Sequence, residues 1–98
     1  MAGYIGTFSQ SNKGTLAASG TKTIEVPNRT LSFVAITSWS YYWIYAVFFS
    51  GSDSISGIEL ASNKRSDVEI SFESNKVIAK NKSQTSEYRL DMFVLTCL

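Results

Sequence analysis

The stretch Leu31–Ser50, LSFVAITSWSYYWIYAVFFS, decides the fold. Between Trp39 and Phe49 it carries seven of the chain's thirteen aromatic residues, so it must be a membrane segment, a core strand or a binding surface. Its longest nearly apolar run, Tyr41–Phe49, is about half of the roughly 20 residues that a spanning helix needs, and it passes at once into a Ser- and Gly-rich loop, SGSDSISG. A spanning helix is therefore not expected. A single strand contributed to an oligomeric pore would fit the length, but one strand cannot establish it. Residues Trp43, Tyr45, Val47 and Phe49 alternate with Tyr42, Ile44, Ala46 and Phe48, and the β-branched and aromatic content suits a pleated strand. With Leu31–Thr37 as its partner, the stretch predicts a β-hairpin whose tip is SWSY.

Working outward, period-two runs recur at Tyr4–Ser9, Thr21–Val26, Gly57–Leu60, Asp67–Glu73, Lys76–Lys80 and Tyr88–Cys97, with Ser, Asn and Gly turns between them. Seven to eight short strands at this spacing predict an all-β fold, an antiparallel β-sandwich of jelly-roll-like type. The one helical candidate, Gly14–Gly20, is too short and is bounded by glycines. Ninety-eight residues without a linker or an internal repeat predict one sandwich domain over residues 1–98.

One hairpin can be set in register from charge and burial. With Ser74 and Asn75 as its loop, Glu73 faces Lys76, Glu69 faces Lys80 and Asp67 faces Lys82, while Phe72 faces Val77 and Ile70 faces Ala79. One face is acid opposite base and the other is apolar, so a one-residue slip would carry charge into the core. Ser-Asn is not the preferred Asn-Gly turn, and a four-residue loop would keep the same pairing.

Composition removes several function classes. Nine Lys and Arg against eight Asp and Glu, scattered along the chain, lack the basic stripe of a nucleic-acid binder. Histidine is absent, which excludes histidine triads, histidine metal sites and imidazole switches. The single cysteine, Cys97, allows no internal disulfide and no multi-cysteine metal site. Neither a metal nor another cofactor is expected. The first residues, MAGYIGTFSQSNKG, lack the basic and apolar regions of a secretory leader.

Catalytic spacings are missing too. No GxSxG, HExxH, phosphate-binding or dinucleotide-binding pattern occurs, and GSDSISG lacks the acidic pattern of a calcium loop. Asp67, Glu69 and Glu73 share a strand face, but the lysines opposite account for them. The expectation is a protein that is not an enzyme. The triplets Asn28–Thr30 and Asn81–Ser83 match the glycosylation sequon and, with no leader, read as accidental.

Three segments are apolar on both faces: LSFVAIT, YWIYAVFF and the second half of YRLDMFVLTCL. A sandwich strand has one inner face, and large exposed apolar patches are uncommon on monomers. The second faces therefore predict a homo-oligomer, with Trp43, Tyr45, Phe49, Phe93, Leu95 and Cys97 as interface residues. At the hairpin tip, flat aromatic faces rimmed by polar groups suit sugar rings. Trp39, Tyr41, Tyr42 and Asp53 are the ligand-binding candidates. The competing reading has Trp39 and Tyr41 folding back over the sandwich end or packing on a neighbouring subunit.

The succession KTIEVPNRTLSFVAIT, an aromatic strand, a Gly and Ser loop, then NKVIAKNKS and YRLDMFVL resembles the small C-terminal β-sandwich modules of bacteriophage tail-fibre and tail proteins. The resemblance covers roughly Thr21–Leu98 and carries no catalytic signature. It implies a jelly roll that assembles as a homotrimer at a fibre tip, is virion-associated and contacts a host-surface receptor, often a glycan. A structural oligomerisation or capping module of a virion or cell-surface assembly, without a ligand, is the alternative. Neither nucleic acid nor membrane insertion is expected.

Overall fold

The computed structural model describes residues 7–49 and 55–97. They form ten strands: β1 Thr7–Asn12, β2 Thr15–Leu16, β3 Thr21–Glu25, β4 Leu31–Ser38, β5 Tyr41–Phe49, β6 Ile55–Asn63, β7 Val68–Glu73, β8 Lys76–Asn81, β9 Tyr88–Arg89 and β10 Asp91–Cys97. No helix occurs among the described residues. The strands build a five-stranded sheet, β1-β10-β4-β5-β6, a three-stranded sheet, β3-β8-β7, and the small pair β2-β9. All pairings are antiparallel, as the sequence predicts for a β-sandwich. Two strands exceed the expected eight: β2 is two residues, too short for alternation to register, and the expected Tyr88–Cys97 run breaks at Leu90 into β9 and β10.

The central hairpin pairs Leu31 with Phe48 through to Ser38 with Tyr41. Its period-two alternation sends Val34 and Ile36 of β4, Trp43, Tyr45 and Val47 of β5, and Met92 and Val94 of β10 to the inside, where all are buried. Ile24, Val68, Val77 and Ala79 meet them from the second sheet, with Ile70 and Phe72 packed at the margin. The Tyr45 and Phe72 rings meet edge-on, with centroids 5.0 Å apart and planes at 86°, the favourable geometry for two aromatic quadrupoles. That contact joins the two layers.

This packing corrects part of the interface expectation. Trp43 is 1% exposed and Tyr45 7%, so neither is available to a second subunit. Both share strand parity with Val47, and that parity faces the core. The side chains of Phe49 and Cys97, and Asp53 altogether, lie outside the described residues.

The β7–β8 register is the expected one: Glu73 opposite Lys76, Phe72 opposite Val77, Ile70 opposite Ala79, Glu69 opposite Lys80. Among the described residues the ion pairs are Lys64–Glu59 and Arg89–Asp91, and neither crosses this hairpin. Burial of the apolar face therefore sets the register. Ser74 and Asn75 both take positive φ, 51° and 64°, the requirement of a two-residue turn matched to strand twist. The backbone alignment continues through Lys82 N–H, which donates to Asp67 O at 2.7 Å. The Asp67 side chain departs from expectation and accepts the Tyr88 hydroxyl instead of meeting Lys82.

Two buried polar groups organise the margins. Ser32 and Thr96, paired across β4 and β10, share a hydroxyl hydrogen bond of 2.9 Å. Asn81 is fully buried; its amide donates to Ala17 O at 3.1 Å and Ser86 O at 2.8 Å, and its oxygen accepts from Ser83 N at 2.9 Å. With its amide committed to these contacts, a glycan on Asn81 is incompatible with this packing.

Candidate functional site

Two surfaces stand out, and the same hairpin builds both. The first is the outer face of the five-stranded sheet. Residues of the parity opposite to the core, Leu31, Phe33, Tyr42, Phe48, Phe93 and Leu95, are all partly exposed there. Cross-strand pairing places them side by side: Leu95 beside Phe33, Phe93 beside Ala35, Leu31 beside Phe48, and Ala46 beside the exposed Ile58. Phe33, Val34, Ala35, Ile44, Phe93 and Leu95 line a shallow, wholly apolar depression of about 230 Å³. Of the expected interface residues, Phe93 at 37% and Leu95 at 45% exposure lie on this face.

The second surface is the hairpin tip. Ser38 pairs with Tyr41, which leaves Trp39 and Ser40 as a two-residue turn. Trp39 takes φ +54° and is 68% exposed. The left-handed region costs a bulky residue about 1–2 kcal/mol, so this indole is held out against both backbone preference and solvent exposure. Asn63 Nδ2 donates to Ser40 O at 3.2 Å and ties the turn to the end of β6.

Tyr41 and Tyr42 point to opposite sides of β5, as neighbours in a strand must. Tyr41 packs at the margin of the core close to the tip, whereas Tyr42 sits on the outer sheet face opposite Thr37. The structure thus brings Trp39 and Tyr41 together and separates Tyr42 from them.

The sequence reading missed Arg65 and Tyr88. The Arg65 guanidinium lies 4.3 Å from the Tyr41 ring centre, 4.0 Å from that of Tyr88 and 5.5 Å from that of Trp39. Val68 N–H donates to Arg65 O at 3.2 Å, fixing the loop that carries it. Tyr88, on β9, is oriented by its hydroxyl, which donates to Asp67 Oδ2. No local pattern could have revealed this cluster, because Arg65 sits in a stretch, SNKRS, that reads only as a turn.

A bulge in β6 shapes the strand beside the tip. Ile44 pairs with Ala61 but Tyr45 pairs with Glu59, so Leu60 is the extra residue. Burial, reinforced by the nearby Glu59 charge, pushes the Tyr45 hydroxyl up to about 12. Hydrogen bonds from Lys64 and Ser62 hold the Glu59 carboxyl below its ordinary value.

The β-sandwich class is thus established by the sheets and their shared core. No protein-family model and no curated protein matches the chain. Its fold is similar to part of the crystal structure of the tailspike protein gp49 from Acinetobacter baumannii bacteriophage Fri1, a capsular polysaccharide depolymerase. The TM-score is 0.67 at 14% identity, over 93% of this chain and 17% of that one. At that identity the likeness is one of fold, and the chain spans about one sixth of the tailspike. The fold is of a kind found in phage tail proteins, in agreement with the coarse form of the resemblance. The same match corrects the expectation that the protein is not an enzyme: the protein that contains the similar fold is a polysaccharide depolymerase.

Proposed function

We propose that the chain is a module of a virion-associated, phage tail-type assembly that works as a homo-oligomer, a trimer in the simplest arrangement, and engages a host-surface saccharide through its hairpin tip. The observation that carries the reading is Trp39, an indole presented to solvent on a strained turn and backed by Tyr41, Arg65 and Tyr88. Strain of this kind is commonly kept where a surface binds something. The tailspike likeness supports a cell-surface polysaccharide as the class of ligand. Apolar outer-face residues support self-association, because association would remove them from water.

Binding to a glycan panel and to purified capsular polysaccharides tests the proposal, with polymer length followed by size-exclusion chromatography so that cleavage is read as well. Trp39→Ala is expected to weaken binding about tenfold or more, equivalent to a loss of 1.4 kcal/mol, while the oligomer mass stays unchanged. Full binding by the variant, or no hit on any saccharide, rules the tip out. The apolar face also favours a second reading, an oligomerisation or capping module without a ligand. An intact oligomer with no hit would select it.

A further inference from the structure

We infer that Arg65 is the anchor for a sugar carboxylate, so that the saccharide taken at the tip is acidic, of the uronate type. The inference rests on the tip being a saccharide site and names the ligand chemistry there. A guanidinium has five N–H donors, all in its plane, and two faces that can stack on aromatic rings. The guanidinium carbon lies over the Tyr41, Tyr88 and Trp39 rings at 4.3, 4.0 and 5.5 Å from their centres. The in-plane donors are left for hydrogen bonding, yet Arg65 Nε is buried with no acceptor among the described residues.

Nor does any carboxylate among the described residues pair with Arg65. Asp67, two positions away, is engaged by the Tyr88 hydroxyl, and Glu59 is engaged by Lys64 at 2.8 Å. A guanidinium stacked on rings and lacking a carboxylate partner carries a positive charge and a planar fork, to which a carboxylate is the complementary ligand. The buried Nε is out of a ligand's reach, so the carboxylate is taken by the two terminal guanidinium nitrogens. The neighbouring rings lower the ordering cost of the Arg65 side chain and prepare it before the ligand arrives. Trp39, with its ring centre 5.5 Å from the guanidinium, borders the same site.

The test is isothermal titration of the full chain with oligogalacturonide and hyaluronan fragments, each beside its carboxyl-reduced counterpart. The acidic form is expected to bind at least about tenfold more tightly, in line with a charge-assisted hydrogen bond. Arg65→Gln should erase that preference and bind both forms alike, whereas Arg65→Lys should keep part of it. A purely structural Arg65 would instead lower affinity for both forms by the same factor, which would overturn the inference. If the reduced sugars bind as well as the acidic ones and Trp39→Ala abolishes both, the carboxylate anchor is wrong while the saccharide site stands. If neither form binds, both fall. Should Arg65→Gln fail to fold, the wild-type comparison of acidic and reduced sugars decides alone.

Discussion

At the scale of single residues, the most consequential finding is how strand parity sorts neighbouring aromatics. Trp43 and Tyr45 are core, Tyr42 is on the outer face, and Trp39 is in solvent, although all fall within seven positions. Tyr45 offers a clean test of this placement. Its hydroxyl, pushed up to about 12 by burial and then by Glu59, stays protonated in the folded chain while an unfolded tyrosine ionises near 10. The stabilisation is present below pH 10 and is lost as pH rises from 10 toward 12. Urea denaturation should therefore show wild type losing about 1 kcal/mol more than Tyr45→Phe between pH 9 and pH 11. The phenylalanine retains the edge contact with Phe72 and lacks the titrating group. Equal losses in the two proteins would mean that Tyr45 is not buried as described.

At the scale of elements, the β7–β8 hairpin shows that burial sets register and turn chemistry only accommodates it. The turn places Ser74 at φ 51° and Asn75 at φ 64°, a region that asparagine and glycine enter more readily than serine. Asn75 also offers its carbonyl to Val26 N–H at 2.8 Å, a backbone contact that any residue can make. Ser74→Asn with Asn75→Gly should therefore stabilise the protein by about 0.5–1 kcal/mol. In scanning calorimetry that corresponds to a rise in Tm of roughly 2–8 °C. A fall in Tm would indicate that the serine makes a contact outweighing its backbone conformation. The β4–β5 turn differs: Trp39 occupies the strained position in a hairpin that its flanking strands already hold together. Trp39→Gly would relieve that conformation at the expense of the indole, and strain relieved in this way separates a binding residue from a structural one.

At the scale of the whole molecule, the outer face of the five-stranded sheet calls for a cover. Phe33, Phe93, Leu95, Leu31 and Phe48 form one patch through direct cross-strand neighbours. Light scattering at micromolar concentration should give a mass that is a multiple of 10.8 kDa. Leu95→Lys should return it to one copy, because an unpaired charge in an apolar interface is costly. The inner face is untouched by that change, so the circular dichroism of the variant should match wild type. A wild-type protein that is monomeric under these conditions refutes the homo-oligomer.

What the sequence determined by itself was everything that period two and chain-local chemistry encode. The longer strands, their antiparallel hairpins, the β7–β8 register and the excess of apolar faces all follow from alternation within a few residues. So does the turn at SWSY, because it is bounded by two strands that must turn there. Alternation left open whether Trp39 folds back over the sandwich or faces solvent, and the structure shows it exposed. Only the tertiary structure decided which apolar face of β5 is core, since Trp43 and Tyr42 are equally apolar in sequence and differ only in which sheet they meet. It alone brought Arg65 and Tyr88 to Tyr41 and Trp39, from a turn and a two-residue strand far apart along the chain. The placement of a guanidinium over rings has no sequence period, and so the charged part of the candidate site could be found only by folding it.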